Sequence, residues 1–211
     1  MSGRSTMLRR ALPGLAAIAV ILTGCGNDDD TGTAPDRTSE PGMPGMSMTT
    51  GAPAPGSETA YNDADVTFLQ MMYPHHAQAV EMAVLVPTRS QNQQVLDLAA
   101  KIKKAQDPEM TQISSLLQRF GKPAPNADPS MGHGMPGMMS QEQMSSLAAL
   151  SGPDFDRMWL EMMISHHTGA IDMAETEQAT GQNPEAKKLA DSIISSQQSE
   201  IDQMKAMLEQ N

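Results

Sequence analysis

One pattern occurs twice in this chain, and it limits what the chain can fold into more than any other feature. FLQMMYPHHAQAVEMA, beginning at Phe68, and WLEMMISHHTGAIDMA, beginning at Trp159, share the form Met-Met-x-x-His-His-x-x-Ala-x-x-Met-Ala at a spacing of 91 residues. The match runs on downstream. Leu98, Ile102, Gln106, Glu109 and Gln112 recur as Leu189, Ile193, Gln197, Glu200 and Gln203, and about a third of positions 65–120 are identical to 156–211. Each copy reads as two helices. Apolar residues at helical spacing follow a cap at Asn62 or Asp63 and continue to Val86, with Pro87 as the end. A second helix starts near Ser90 and runs to Phe120, where Gly121 and Pro123 stop it. In the second copy Asp154 opens a helix through Thr180, and Asn183-Pro184-Glu185 begins the last one.

A helical hairpin cannot bury its apolar face alone, so two of them predict an all-α, four-helix bundle with approximate two-fold symmetry over residues 60–211. Repeat 1 covers 65–120 and repeat 2 covers 156–211. The connector, 121–153, holds a Pro/Gly/Met loop and a short helix at about 141–150, capped by Ser140 with Gln143. Pro74 and Pro108 fall inside helices and are expected to kink them, at about 3 kcal/mol each unless the freed carbonyls find partners.

The first 24 residues read as a targeting segment rather than structure. Arg4, Arg9 and Arg10 precede an apolar run from Ala11 to Leu22 that is too short to span a membrane. The run ends Leu22-Thr23-Gly24-Cys25, which resembles the bacterial lipoprotein cleavage box, and Cys25 is the only cysteine. Processing of that kind would acylate Cys25 and tether the protein outside the cytoplasm. No thiolate or disulfide would remain for chemistry. Residues 25–59 then form a Gly/Pro/Ser/Thr tether with Met43, Met46 and Met48 in it. The net charge of −11 argues against nucleic acid, which needs clustered Lys and Arg.

On a helical wheel Met71, His75 and Met82 fall on one line, Asp65, Met72, His76 and Ala83 on a second, with Phe68, Ala79 and Val86 between them. Both histidines therefore border the inward seam. Met162, His166 and Met173, beside Met163 and His167, repeat the arrangement. Neutral thioether and imidazole donors suit Cu(I), with Ag(I) as its chemical twin, and serve Zn(II), Ca(II) and Mg(II) poorly. A methionine stripe alone is more often packing. Here, however, all five histidines (His75, His76, His133, His166, His167) have methionines within four residues. Adjacent buried histidines are also costly without partners. The Met43–Met48 stretch and the Met131, His133, Met135, Met138, Met139 loop are expected to act as flexible, weaker capture sites.

Rival readings find less support. A di-iron bundle needs Glu-x-x-His on two helices, which is absent from the sequence. A haem bundle needs aromatics to pack the macrocycle, and only 3% of residues are aromatic. A structural or partner-binding bundle, with Met and His as packing, remains open. No nucleophile–base pair, phosphate loop or redox dithiol is present, so no enzymatic activity is expected.

The repeated motif, most specifically Phe155 through Ala174, resembles the domain-of-unknown-function 305 (DUF305) family, which includes the CopM-like periplasmic copper-binding proteins. The resemblance covers roughly 60–211. It implies a ferritin-like four-helix fold and extracytoplasmic copper binding that protects against excess copper. Its implied ligands are Met71, Met72, His75, His76 and Met82 with Met162, Met163, His166, His167 and Met173. The resulting expectation is a lipid-anchored protein that sequesters Cu(I) or hands it to a copper-handling partner.

Overall fold

A computed structural model describes residues 60–123, 125–126 and 134–210. Cys25, Met43, Met46, Met48, Met131 and His133 lie outside them. The described residues form α1 (Asp63–Arg89), α2 (Gln93–Arg119), α3 (Gln141–Ala149), α4 (Gly152–Thr180) and α5 (Pro184–Gln210). Together they make an all-α bundle of four long helices and one short one.

Local chemistry sets the boundaries. The Asn62 side chain accepts from the Ala64 and Asp65 amides while Asp65 accepts from the Asn62 amide, a reciprocal capping box. Ser140 and Gln143 do the same for α3. The Asn183 side chain takes the Glu185 and Ala186 amides at the start of α5.

Three expected boundaries differ. Helix α1 passes through Pro87 to Arg89, as it does through Pro74, because a proline lacks only its own N–H and the Ser90 amide still bonds to the Val86 carbonyl beyond it. The extended conformation of Ser90 (φ −108°, ψ 148°) is what ends it. Accordingly α2 begins at Gln93, not near Ser90, with Asn92 as its cap. Helix α4 starts at Gly152, two residues before Asp154.

Helices α1 and α2 pack as one hairpin and α4 and α5 as the other, with α1 lying against α4 and α3 resting on both. The α1–α4 pair is antiparallel. The Asn62 side chain donates to the Thr180 carbonyl at one end, and the Trp159 indole N–H to the Met82 carbonyl (3.1 Å) nearer the other. Trp159, Phe155, Leu69, Met72 and Met82 are among the fully buried side chains, each contributing about 1.5–3 kcal/mol by leaving water. No helix among the described residues is long and apolar enough to cross a membrane.

One corner of the bundle is polar. Asp65 accepts from the amides of Asn62 (2.6 Å) and Asn183 (2.8 Å), and from Gln182, tying the start of α1 to the α4–α5 turn. Burial pushes the Asp65 carboxyl up, but these amides and the neighbouring Glu177 carboxyl outweigh it and leave it below its ordinary value. Burial and the Asp65 carboxylate together push Glu177 up to about 8. Folded Glu177 thus holds a proton between 4.5 and about 8 that the unfolded chain has lost. Its stabilisation is complete below the lower value and disappears as pH rises through the upper one. His75, His166 and His167, whose burial lowers them, act in the opposite sense, so the readout is a difference. Glu177→Gln is expected to gain on wild type, by about 2 kcal/mol, between about pH 5 and pH 8 in urea unfolding. A difference that stays constant with pH would show that the carboxyl does not titrate there.

Candidate metal centre

The antiparallel crossing of α1 and α4 brings the two motifs face to face. The rings of His75 and His166 lie 3.8 Å apart between centroids, inclined at 40°. All four helical histidines are fully buried. The outer helices supply a carboxylate to one histidine of each pair. His76 Nε2 donates to Glu109 Oε2 (2.8 Å) from α2, and His167 Nε2 donates to Glu200 Oε2 (2.9 Å) from α5. Each carboxylate fixes its ring in the tautomer that leaves the Nδ1 lone pair free. His75 Nε2 donates to the Pro136 carbonyl (3.1 Å), with the same consequence. Neither nitrogen of His166 has a hydrogen-bond partner of regular geometry among the described residues.

Among the described residues, the Nδ1 atoms of all four rings are buried without a partner. An unsatisfied buried polar atom costs about 1–3 kcal/mol, and four of them carried by the two helices of one crossing call for a ligand. Three of the rings are also kept neutral. Burial, then the neighbouring His76, lowers His75 to about 3, against the opposing pull of the Pro136 bond. Burial and the surrounding His75, His167 and His76 place His166 well below its ordinary value. Burial lowers His167 despite Glu200. Neutral imidazole is the form that binds metal.

The methionines are sorted by the crossing rather than by copy. Met72 and Met173, with Met71 packed against them, belong to one buried cluster. Met82, Met162 and Met163 belong to another, with Met139 and Met144. Each set thus mixes residues of both copies, on opposite sides of the His75–His166 contact. Among the described residues no three His, Cys, Asp or Glu side chains converge as a metal site. A metal held here must take thioether donors together with imidazole. The donor set fits a soft monovalent ion, which accepts neutral S and N ligands at low coordination number.

Over its described residues 134–139 the connector is not the loose loop that its composition suggests. Gly134–Met139 forms a strap over the crossing. Gln78 clamps it with two bonds, its side-chain amide donating to the Met139 carbonyl (2.9 Å) and its oxygen accepting the Met139 amide (2.7 Å). On the other side Pro136 and Gly137 lie against Gly169 and the Ser165 and His166 carbonyls of α4, so closely that a side chain at Gly169 would overlap the Pro136 carbonyl. Gly137 has φ 74°, a conformation suited to glycine. Met139 is buried, while Met135 and Met138 are half-buried. Gln78 and Gly169 are equivalent positions of the repeat, so the strap breaks the symmetry through this one mismatch.

Sequence reasoning did not single out Glu109 and Glu200, Gln78 or Gly169. The signal for the glutamates was present, since both recur at matching positions on the inward stripe of their helices. Gln106 and Gln197, one turn before them, are buried too, with unpartnered amide atoms.

Residues 65–208 match the family model described as a domain of unknown function (DUF305). A DUF305 fragment from Deinococcus radiodurans superposes with a TM-score of 0.65 at 33% identity, covering 71% of this chain and 98% of the other. A DUF305 protein from Streptomyces coelicolor, provisionally described as secreted, gives 0.64 at 33% identity over 70% and 93%. CopM in its Cu(II)-bound form gives 0.61 at 33% identity over 69% and 96%. CopM is also similar in its Cu(I)-bound and Ag-bound forms. No curated protein matches the chain.

Proposed function

We propose that this chain, which belongs to the DUF305 family, is an extracytoplasmic copper-binding protein that holds Cu(I) at the α1–α4 crossing and sequesters it or hands it on. The observation that carries this reading is the set of four buried imidazoles whose Nδ1 atoms have no partner among the described residues, flanked on both sides by methionines from both copies. Likeness to CopM, whose structures include Cu(I)-, Cu(II)- and Ag-bound forms, supports copper as the metal. Neutral S/N donors favour the cuprous state. In this reading His75, His76, His166 and His167 supply nitrogen, and Met71, Met72, Met82, Met162, Met163 and Met173 supply sulfur. Glu109, Glu200 and Pro136 orient the rings. The protein is a carrier rather than a catalyst. A diacylglyceryl group on Cys25 tethers it, and Met43, Met46, Met48, Met131 and His133 add weaker capture capacity.

The test is an anaerobic Cu(I) titration against a chromophoric chelator, with a variant carrying leucine at all four helical histidines. Trp159, buried with Met162 and Met163, gives an internal fluorescence signal. Tight binding in the parent and none in a variant that retains its helical circular dichroism is the expected result. Equal binding in both would make the histidines packing residues and leave a partner-binding bundle as the better account.

A further inference from the structure

The internal repeat relates Met71 to Met162 and Met173 to Met82, so the two sides of the crossing ought to look alike. They do not. Met162 and Met173 are equally buried, at 8% exposed, but Met82 is fully buried where Met71 is half-buried, and Met82 and Met162 share a buried cluster with Met139 of the strap and Met144 and Leu147 of α3. On the opposite side a cleft of about 460 Å³ opens between the start of α1 and the end of α4. Met71 and Met173, one from each copy, line it together with Thr67, Thr176 and Pro136. Among the described residues, Pro136 is all that the connector contributes to its lining. Pro136 also accepts the His75 Nε2 bond, so the cleft wall and the buried histidine meet at a single residue.

We propose that this cleft is the entrance through which a soft monovalent cation reaches the buried histidines, Met71 and Met173 being the first thioether pair it meets. The proposal rests on the copper reading above and adds direction to it: one side of a nearly symmetric crossing is the doorway, the other the sealed seat. The chemistry agrees with the placement. Two neutral thioethers can take over a soft ion from a carrier without losing a proton. The exposed carboxylates of Asp63 and Asp172, which also line the cleft, raise the local concentration of cations. Met139 of the strap and Met144 of α3 pack against Met82 and Met162, and the cavity at that end of the bundle is lined by no methionine or histidine, so an ion held at the crossing leaves by the way it came.

Thr67 and Thr176 allow the doorway to be blocked without touching a ligand. Both are exposed, and their hydroxyls bond only to carbonyls of their own helices, those of Asp63 and Asp172. Thr67→Trp and Thr176→Trp place a ring over the cleft from either wall, and Thr88→Trp, at the far end of α1, is the control. Purified full-length protein is mixed with a Cu(I)–chelator complex, and transfer is followed in both directions. Each cleft variant is expected to slow uptake and release together by about tenfold while equilibrium affinity stays within about twofold, with Thr88→Trp unchanged. Parent-like rates in both cleft variants, with tight affinity retained, would overturn the doorway while leaving the copper centre standing. So would a loss of affinity at unchanged uptake rate. A parent that binds no Cu(I) tightly would sink the copper reading and the doorway with it.

Discussion

Glu109→Ala and Glu200→Ala should each weaken Cu(I) binding by about 10–100-fold, although neither residue is expected to touch the ion. Each carboxylate receives the Nε2–H of one histidine at 2.8–2.9 Å. That bond does two things at once. It selects the tautomer with a free Nδ1 lone pair, and it holds the ring against turning away. Glu200 is almost wholly buried and Glu109 only slightly exposed, so water cannot readily stand in for either. Glutamine separates this role from mere packing. Its side-chain oxygen still accepts from Nε2–H, so Glu109→Gln and Glu200→Gln should recover most of the lost affinity. Long-range nitrogen NMR of the imidazoles gives the independent readout, with the Nε2–H tautomer retained in the glutamine variants and mixed in the alanine ones. Equal loss in both substitutions, or no loss in either, would remove the orienting role.

Much of the fold was legible because the relevant signals are local. Helical spacing of apolar residues, an Asn62 cap, a Ser140–Gln143 box and an Asn183-Pro184 start are short-range features, and each appears in the structure. Burial of all four histidines was likewise readable from the wheel, which put both of each pair on the borders of the inward seam. Pro87 misled because the sequence shows that a proline is present but not that the Ser90 amide beyond it still bonds to the Val86 carbonyl.

The centre was less legible, for a physical reason. Which methionines share a cluster depends on the antiparallel crossing of α1 and α4, and spacing along one helix carries no information about that. Met82 and Met162 come from different copies, yet they are packed together. The pairing of His76 with Glu109 spans two helices and 33 residues. Only the recurrence of Glu109 as Glu200 hinted at it. The strap was the hardest to foresee. Its Pro, Gly and Met content reads as a loose loop, and what holds it is a partner on each side: a glutamine that clamps at position 78 and a glycine that makes room at position 169.

Because the two copies meet at the His75–His166 contact, they should build one centre rather than two. Replacing either histidine removes a donor from the shared crossing, and the remaining copy cannot supply an equivalent one. Leucine at either position keeps the volume close to that of imidazole, so the bundle is expected to stay folded. The decisive measurement is an anaerobic Cu(I) competition titration of His75→Leu and His166→Leu, each alone, beside the parent. A composite centre predicts that each single variant loses the tightest-bound copper completely, leaving only the weaker sites. Survival of half the tight capacity in each variant, at parental affinity, would contradict it and make the two motifs separate sites.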